Sequence, residues 1–335
     1  MQSEHSEAIV IRPAVPADAK GLIAGLVRCY GNSYPNPLMY QENALAEIIR
    51  TGKMHSMIAL NAESEVIGHC ALSYDHSHDA IPEAGKLFVD PRYRGHHISD
   101  SLASKRLQNA IDFGLAGFWS ACVTNHAYSQ HEIISTGGVE TGLLINGQPN
   151  TVHMDGLENS EDTRHTLIPF FVGLDARKDL PIFLPKRHHA LLNDVALRAK
   201  IGRIVSDHAP LMTAASRLSI HSSAEGKPVL IKVMEIGGDL LEELSLIMAG
   251  YASENHPVIY VDLSLSSPLA TRAINDLESL GFFWGAWLPY FTNAGDVLRL
   301  QCLQDRRVSQ NTIVCARPEG ELIRDYVLSE YNRIQ

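Results

Sequence analysis

The chain has 335 residues, enough for two domains of ordinary size that each bury a core. With 45% apolar and 20% charged residues it reads as a globular protein, and no apolar run approaches the ~20 residues of a membrane helix. A formal charge of −10 argues against a nucleic-acid surface and suits a small cationic partner such as an amine.

Residues 1–7 show no basic stretch followed by an apolar one, so no signal peptide is expected. Residues 8–12 predict a short strand ended by Pro13, and Pro16 opens a helix to Cys29 with Leu22, Ile23, Leu26 and Val27 on one face. A loop with three tyrosines (Tyr30, Tyr34, Tyr40) follows, then a helix over 42–51 closed by Gly52. Strands are expected at 56–61, 65–73 and 84–89. The last of these runs through Leu87, Phe88 and Val89 to Pro91, which cannot donate to a sheet ladder. A basic turn around Gly95 comes next. Apolar residues then recur at Ile98, Leu102, Leu107 and Ile111, which predicts a helix beginning near Ser99.

Strand, tight turn and helix N-terminus form an anion site, because the first helical amides lack internal partners and the helix dipole is positive there. Arg92 and Arg94 add full charges, so the stretch is expected to cradle a pyrophosphate. The hexad Arg94-Gly95-His96-His97-Ile98-Ser99, behind Val89-Asp90-Pro91-Arg92-Tyr93, resembles the acyl-CoA-binding motif of the GNAT superfamily of N-acyltransferases. His97 and Ser99 stand where that motif carries its two later small residues. The resemblance implies acetyl-CoA or another acyl-CoA as co-substrate, held by Leu87, Phe88, Val89, Arg92, Arg94, Gly95, His96, His97, Ile98 and Ser99, with Asn125 and Ser129 beyond them.

Downstream, 118–123 is expected as a buried strand, 126–136 as a helix ended by Gly137-Gly138, and 139–145 as another strand. Residues 146–165 read as a loop or linker, and 167–174 as a strand that completes the first sheet. This order of elements resembles GNAT over about residues 8–175. A helix is expected from Pro185-Lys186-Arg187-His188-His189 to about Lys200. From Pro228 onward a strand (229–236), a helix (239–249), a strand (258–265), a helix ending at Leu280-Gly281 and two strands (282–288, 296–303) resemble the later half of a GNAT domain again. There the first turn, Glu235-Ile236-Gly237-Gly238-Asp239, is acidic and lacks the arginine. The expectation is therefore an α/β (α+β) chain of tandem GNAT-like domains, each a mixed, mostly antiparallel sheet flanked by helices. Residues 1–175 carry the acyltransferase and 176–335 a degenerate copy; an unrelated α/β cap is the alternative. Residues 304–335 are expected to add a short strand (312–315) and a final helix from Glu319.

Acyl transfer to an amine needs a bound thioester, a neutral amine and a proton for the departing thiolate. The resemblance implies Glu83, on the strand approaching Pro91, as general base. The family's tyrosine acid would fall at Ile134, so the acid is sought among His126, Tyr128, Ser129 and His131, or in the loop at Tyr30 or Tyr34; His126 and Tyr34 are the leading candidates. The histidine groups Asp75-His76-Ser77-His78-Asp79, His96-His97 and His188-His189 lack zinc-site spacing, so no metal is expected. Cys29, Cys70, Cys122, Cys302 and Cys315 form no C-x-x-C pair and are expected as reduced thiols, which points to a cytoplasmic protein. Tyr30-Gly31-Asn32-Ser33-Tyr34-Pro35, the segment 124–130 and the segment 296–301 resemble a two-domain bacterial GNAT subgroup. The resulting expectation is an acetyl-CoA N-acyltransferase acting on a small-molecule amine, with oligomerisation left open. The alternative is a silent acyl-CoA-binding regulatory or scaffold module.

Overall fold

The computed structural model describes residues 9–74, 80–149, 164–175, 179–208, 215–222, 226–251, 256–308 and 310–335. One mixed sheet forms from the first part of the chain. Its order is β1 (Val10–Pro13), β2 (Met54–Leu60), β3 (Val66–Ser73), β4 (Glu83–Val89), β5 (Gly117–Val123), β8 (His165–Gly173) and β6 (Val139–Glu140), with β7 (Leu144–Gln148) also paired to β8. Every pairing is antiparallel except β4 with β5.

Alternation along the strands explains the layers. Ile58 and Val66 face a cluster with Leu22, Leu26 and Cys29 of α1 (Ala19–Tyr30) and Leu45 of α2 (Glu42–Arg50). Their neighbours Met57, Ala59 and Ile67 point to the opposite face, against Ile98 and Leu102 of α3 (Ile98–Asp112). The crossover between the parallel strands is α3, and α4 (Tyr128–Ser135) links β5 to β6.

In the second part, β9 (Leu180–Phe183) and β10 (Arg203–Ser206) make a parallel pair around α5 (His189–Arg198). A five-stranded sheet follows, ordered β11 (Arg217–Ser222), β12 (Val229–Glu235), β13 (Val258–Ser264), β15 (Gly295–Leu303), β14 (Phe283–Thr292). Between β12 and β13 runs α6 (Leu240–Tyr251), between β13 and β14 runs α7 (Ala270–Ser279), and α8 (Pro318–Ile334) packs on β14. The order β3, β4, β5, β8, β6 in the first sheet and β11, β12, β13, β15, β14 in the second share the same senses, each with one parallel pair spanned by a helix.

The two sheets meet edge to edge. Leu143 N–H donates to Gly285 O at 2.8 Å and Trp287 N–H to Thr141 O at 3.0 Å, around the bridge between Gly142 and Ala286. Gly142 is obligatory there, since a Cβ would lie 2.1 Å from Gly285 O. This joint also splits the strand expected over 139–145: the Thr141 amide still donates to Pro169 O of β8, while the Thr141 carbonyl and residues 142–143 turn to β14. Buried Gln301 donates to Leu143 O and Trp284 O and accepts from Ile145 N–H. One apolar cluster runs from Leu72 and Phe118 through Trp284 and Leu298 to Val327. Asp296 is a buried anchor, accepting from Arg203, from Trp287 Nε1 and from the Tyr290 amide.

Beyond the split strand, two differences from the sequence reading stand out, whereas α3 begins at Ile98, next to the expected Ser99. The strands β9, β10 and β11 precede the expected start at Pro228. Where a strand was expected at 312–315, a single 3-10 turn (Gln310–Thr312) leads to Val314, whose amide donates to Thr124 O. No helix among the described residues is long and apolar enough to cross a membrane.

Candidate active site

Parallel strands β4 and β5 pair at one position, Glu83 opposite Trp119, and then part. In the second sheet β12 and β13 stay paired over five consecutive positions, from Val229 opposite Ile259 to Val233 opposite Leu263. The divergence opens a cavity of about 800 Å³ in the first sheet. Its walls are Lys86, Leu87, Phe88 and Val89 of β4, Ala121 and Val123 of β5, Arg94, Gly95, Ser99 and Asp100 around the start of α3, and Tyr128, Ser129, His131 and Glu132 of α4. Tyr30, Tyr34, Pro35, Asn125, His126, Gln148 and His165 complete it.

A bulge distorts β4 beside this opening. The register against β3 moves from Ala71 opposite Gly85 to His69 opposite Phe88, so Lys86 and Leu87 share one partner position, and Lys86 takes φ +56°. Such a bulge withdraws main-chain groups from the ladder.

At one end of the cavity lies the start of α3. Asp90, almost fully buried, accepts from the Arg92 amide, from the Arg92 guanidinium and from Arg28 Nε at 2.5 Å. Burial pushes its carboxyl up, but the two arginines hold it well below the usual carboxylate range. Arg92 is thereby committed to Asp90 and Glu65 and does not line the cavity. His97 is the N-cap of α3 at φ 55°, ψ 26°, the left-handed conformation that glycine adopts without strain. Its side chain is 85% exposed and turns back to Asp100 at 2.9 Å, clear of the cavity. His96 is exposed outside the lining, and Ile98 is buried against Met57 and Leu102. Of the twelve residues expected to hold acyl-CoA, eight line the cavity: Leu87, Phe88, Val89, Arg94, Gly95, Ser99, Asn125 and Ser129. Arg92, His96, His97 and Ile98 stand behind or outside its wall.

Tyr34 and His126, two of the three expected catalytic residues, line the same cavity; Glu83, half-buried, sits at the closed end of the strand opening and does not. His126 is held below the ordinary imidazole value, first by burial and then by neighbouring His165, so it is neutral near pH 7. Its Nδ1 is buried and has no hydrogen-bond partner among the described residues. Tyr34 meets Tyr30 edge-on, ring centres 5.0 Å apart. Burial raises the Tyr30 hydroxyl. Ile134 packs against the core.

Sequence reasoning missed a buried ion pair at the cavity wall: Arg106 of α3 donates to Glu132 of α4 at 2.6 Å. Burial raises the Glu132 carboxyl while Arg106 draws it down. The available signal was a lone arginine within the apolar stripe Leu102, Ala103, Ala110 of α3. Among the described residues, His188, Glu278 and Glu330 bring three ligand atoms within 4.8 Å, but Arg187 and Arg333 already bond Glu278, and Arg333 also bonds Glu330. The group from Asp75 to Asp79 lies outside the described residues.

No protein-family model matches the chain, and no curated protein matches it. Solved structures that it resembles include an acetyltransferase of the GNAT family from Streptococcus pneumoniae (15% identity, 50% of this chain and 100% of that one, TM-score 0.40). An N-acetyltransferase from Staphylococcus aureus Mu50 matches at 15% identity over 50% of this chain and 99% of that one, TM-score 0.40. The ribosomal-protein-S18-alanine N-acetyltransferase from Escherichia coli matches at 13% identity over 51% and 97%, TM-score 0.41.

Proposed function

We propose that the chain is an N-acyltransferase that moves an acetyl or other short acyl group from acyl-CoA to the amine of a small molecule. The observation that carries this reading is one cavity, opened by parting parallel strands, whose lining brings together a helix N-terminus, Arg94 and neutral His126. A diphosphate fits the helix N-terminus: the opening amides of α3 lack helical partners, and the His97 side chain leaves them uncovered. Acyl-CoA supplies a thioester, whose carbonyl the amine attacks directly.

His126, deprotonated near pH 7, accepts the proton that the amine sheds as the C–N bond forms. Main-chain N–H groups freed by the β4 bulge stabilise the oxyanion. The thiolate departs with the C–S bond electrons, and Tyr34 is the candidate to protonate it. Glu83 keeps only an indirect path to the amine, through water along the strand opening.

The second part of the chain fits a degenerate copy, residues 176–335, that has lost this cradle. Its parallel strands do not part. The turn before α6 is satisfied from within: Gly237 N–H donates to Ser216 Oγ at 2.9 Å, and Ser216 N–H to the Asp239 carboxylate at 2.7 Å. A carboxylate thus sits where an anion would bind.

A second reading, an acyl-CoA-binding module without turnover, is favoured by Ile134 in the tyrosine's place and by Glu83 outside the cavity lining. Thiol release from acetyl-CoA across a panel of primary amines separates the two. Amine-dependent release is expected. Binding of acetyl-CoA with no release from any amine would favour the silent module, and no binding would remove both readings.

A further inference from the structure

The β4 bulge is pinned by a residue outside the cavity. His69 of β3 is fully buried, and its Nδ1 lies 2.7 Å from the Lys86 carbonyl oxygen. A carbonyl only accepts, so Nδ1 carries the proton. The opposite nitrogen, Nε2, then accepts from the hydroxyl of buried Ser56, 3.0 Å away on β2. The imidazole also packs against Phe88, ring centres 5.5 Å apart. Three strands therefore fix one ring, and that ring fixes one carbonyl, at the residue whose φ is +56°.

In a trans peptide the N–H points opposite to the C=O. With the Lys86 carbonyl drawn toward His69, the Leu87 N–H of the same peptide is turned the other way. Lys86 and Leu87 both line the cavity. We propose that His69 is a positioning residue: by holding the Lys86 carbonyl, it aims the Leu87 amide at the thioester oxygen. This rests on the acyltransfer reading above. His69 touches neither substrate; it acts through the peptide it orients. An apolar residue of similar size at position 69 would fill the space and leave that peptide free to rotate back into the ladder.

The test is the carbonyl stretch of acetyl-CoA labelled with carbon-13 at the thioester, read by difference infrared spectroscopy on the full chain. The wild-type protein is expected to lower the stretch relative to free acetyl-CoA. His69→Leu should return it toward the free value with the dissociation constant within about twofold, and should lower kcat by roughly 10- to 100-fold. His69→Asn, whose amide can still donate to the Lys86 carbonyl, should restore much of the shift. If His69→Leu does not fold, Ser56→Ala carries the test, since it removes the hydroxyl that anchors Nε2 and so loosens the orientation of the ring. A stretch moved part of the way to the free value is expected there, and an unmoved one overturns the proposal. A lowered stretch retained in His69→Leu, or absent from bound wild type, overturns it as well. Failure of the wild type to bind acetyl-CoA is a different outcome, which refutes the acyl-CoA reading itself.

Discussion

Arg94 is the cavity's cation beside the start of α3, because Arg92 is committed to Asp90. Arg94→Ala should weaken CoA binding by about 10- to 100-fold, the worth of a charge-assisted hydrogen bond, with an unchanged circular dichroism spectrum. Equal affinity in calorimetric titration would count against the cradle. His126→Asn should lower kcat by at least ~100-fold, while Glu83→Gln, at the closed end of the opening, should change it far less. The opposite ranking would move the base to Glu83. Because burial lowers the His126 pKa, kcat should fall only at pH below the ordinary imidazole value. His69 gives a stability prediction of definite sign. Burial outweighs the hydrogen bond that Nδ1 donates to the Lys86 carbonyl and pushes the ring down to about 4. The unfolded chain binds this proton first. The stabilisation is therefore complete above about pH 6.5 and is lost as pH falls toward 4, on the order of 3 kcal/mol. Urea unfolding at pH 7 and pH 4.5 checks this: the margin of wild type over His69→Leu should narrow in acid, and a constant margin would contradict it.

At the scale of elements, the joint between the sheets depends on residues with no side chain in the way. Gly142→Val would drive a Cβ into Gly285 O, and should destabilise the fold by about 1–3 kcal/mol or more in chemical denaturation. An unshifted midpoint would mean that the edge contact contributes little. The same joint explains what could be read in the sequence and what could not. The strand from Leu87 to Val89, Pro91 and the helix stripe from Ile98 are local patterns, so the turn at the cavity mouth was legible, as were Arg94, Gly95, Ser99, Asn125, Ser129, Tyr34 and His126 as its neighbours. The bulge at Lys86 was not, since no glycine marks its positive φ and a side chain on β3 holds it. Nor was the split of the strand at 141–143, whose partner is Ala286 in the other half. The short strands β9 and β10 carry too few residues for alternation to show. His97 could be placed in the motif from sequence, but only its backbone angles reveal that it substitutes for glycine with its ring turned outward.

For the whole molecule, the two halves share one apolar cluster, and Gln301, Gln130 and Glu140 carry hydrogen bonds between segments far apart in the chain. A fragment ending at residue 175 would expose that surface and should fail to unfold cooperatively, which thermal denaturation followed by circular dichroism can check; a sharp transition would show that the first sheet stands alone. The two halves repeat one strand order, with one parallel pair parted and the other closed; in the proposed division of labour only the parted pair holds a thioester. All of this turns on where the diphosphate sits. A crystal structure with CoA bound tests it most directly. Pyrophosphate oxygens are expected within hydrogen-bond distance of the amides between Gly95 and Ser99, with the thiol directed between β4 and β5. Pyrophosphate found at any other surface, with that turn left bare, would contradict the account.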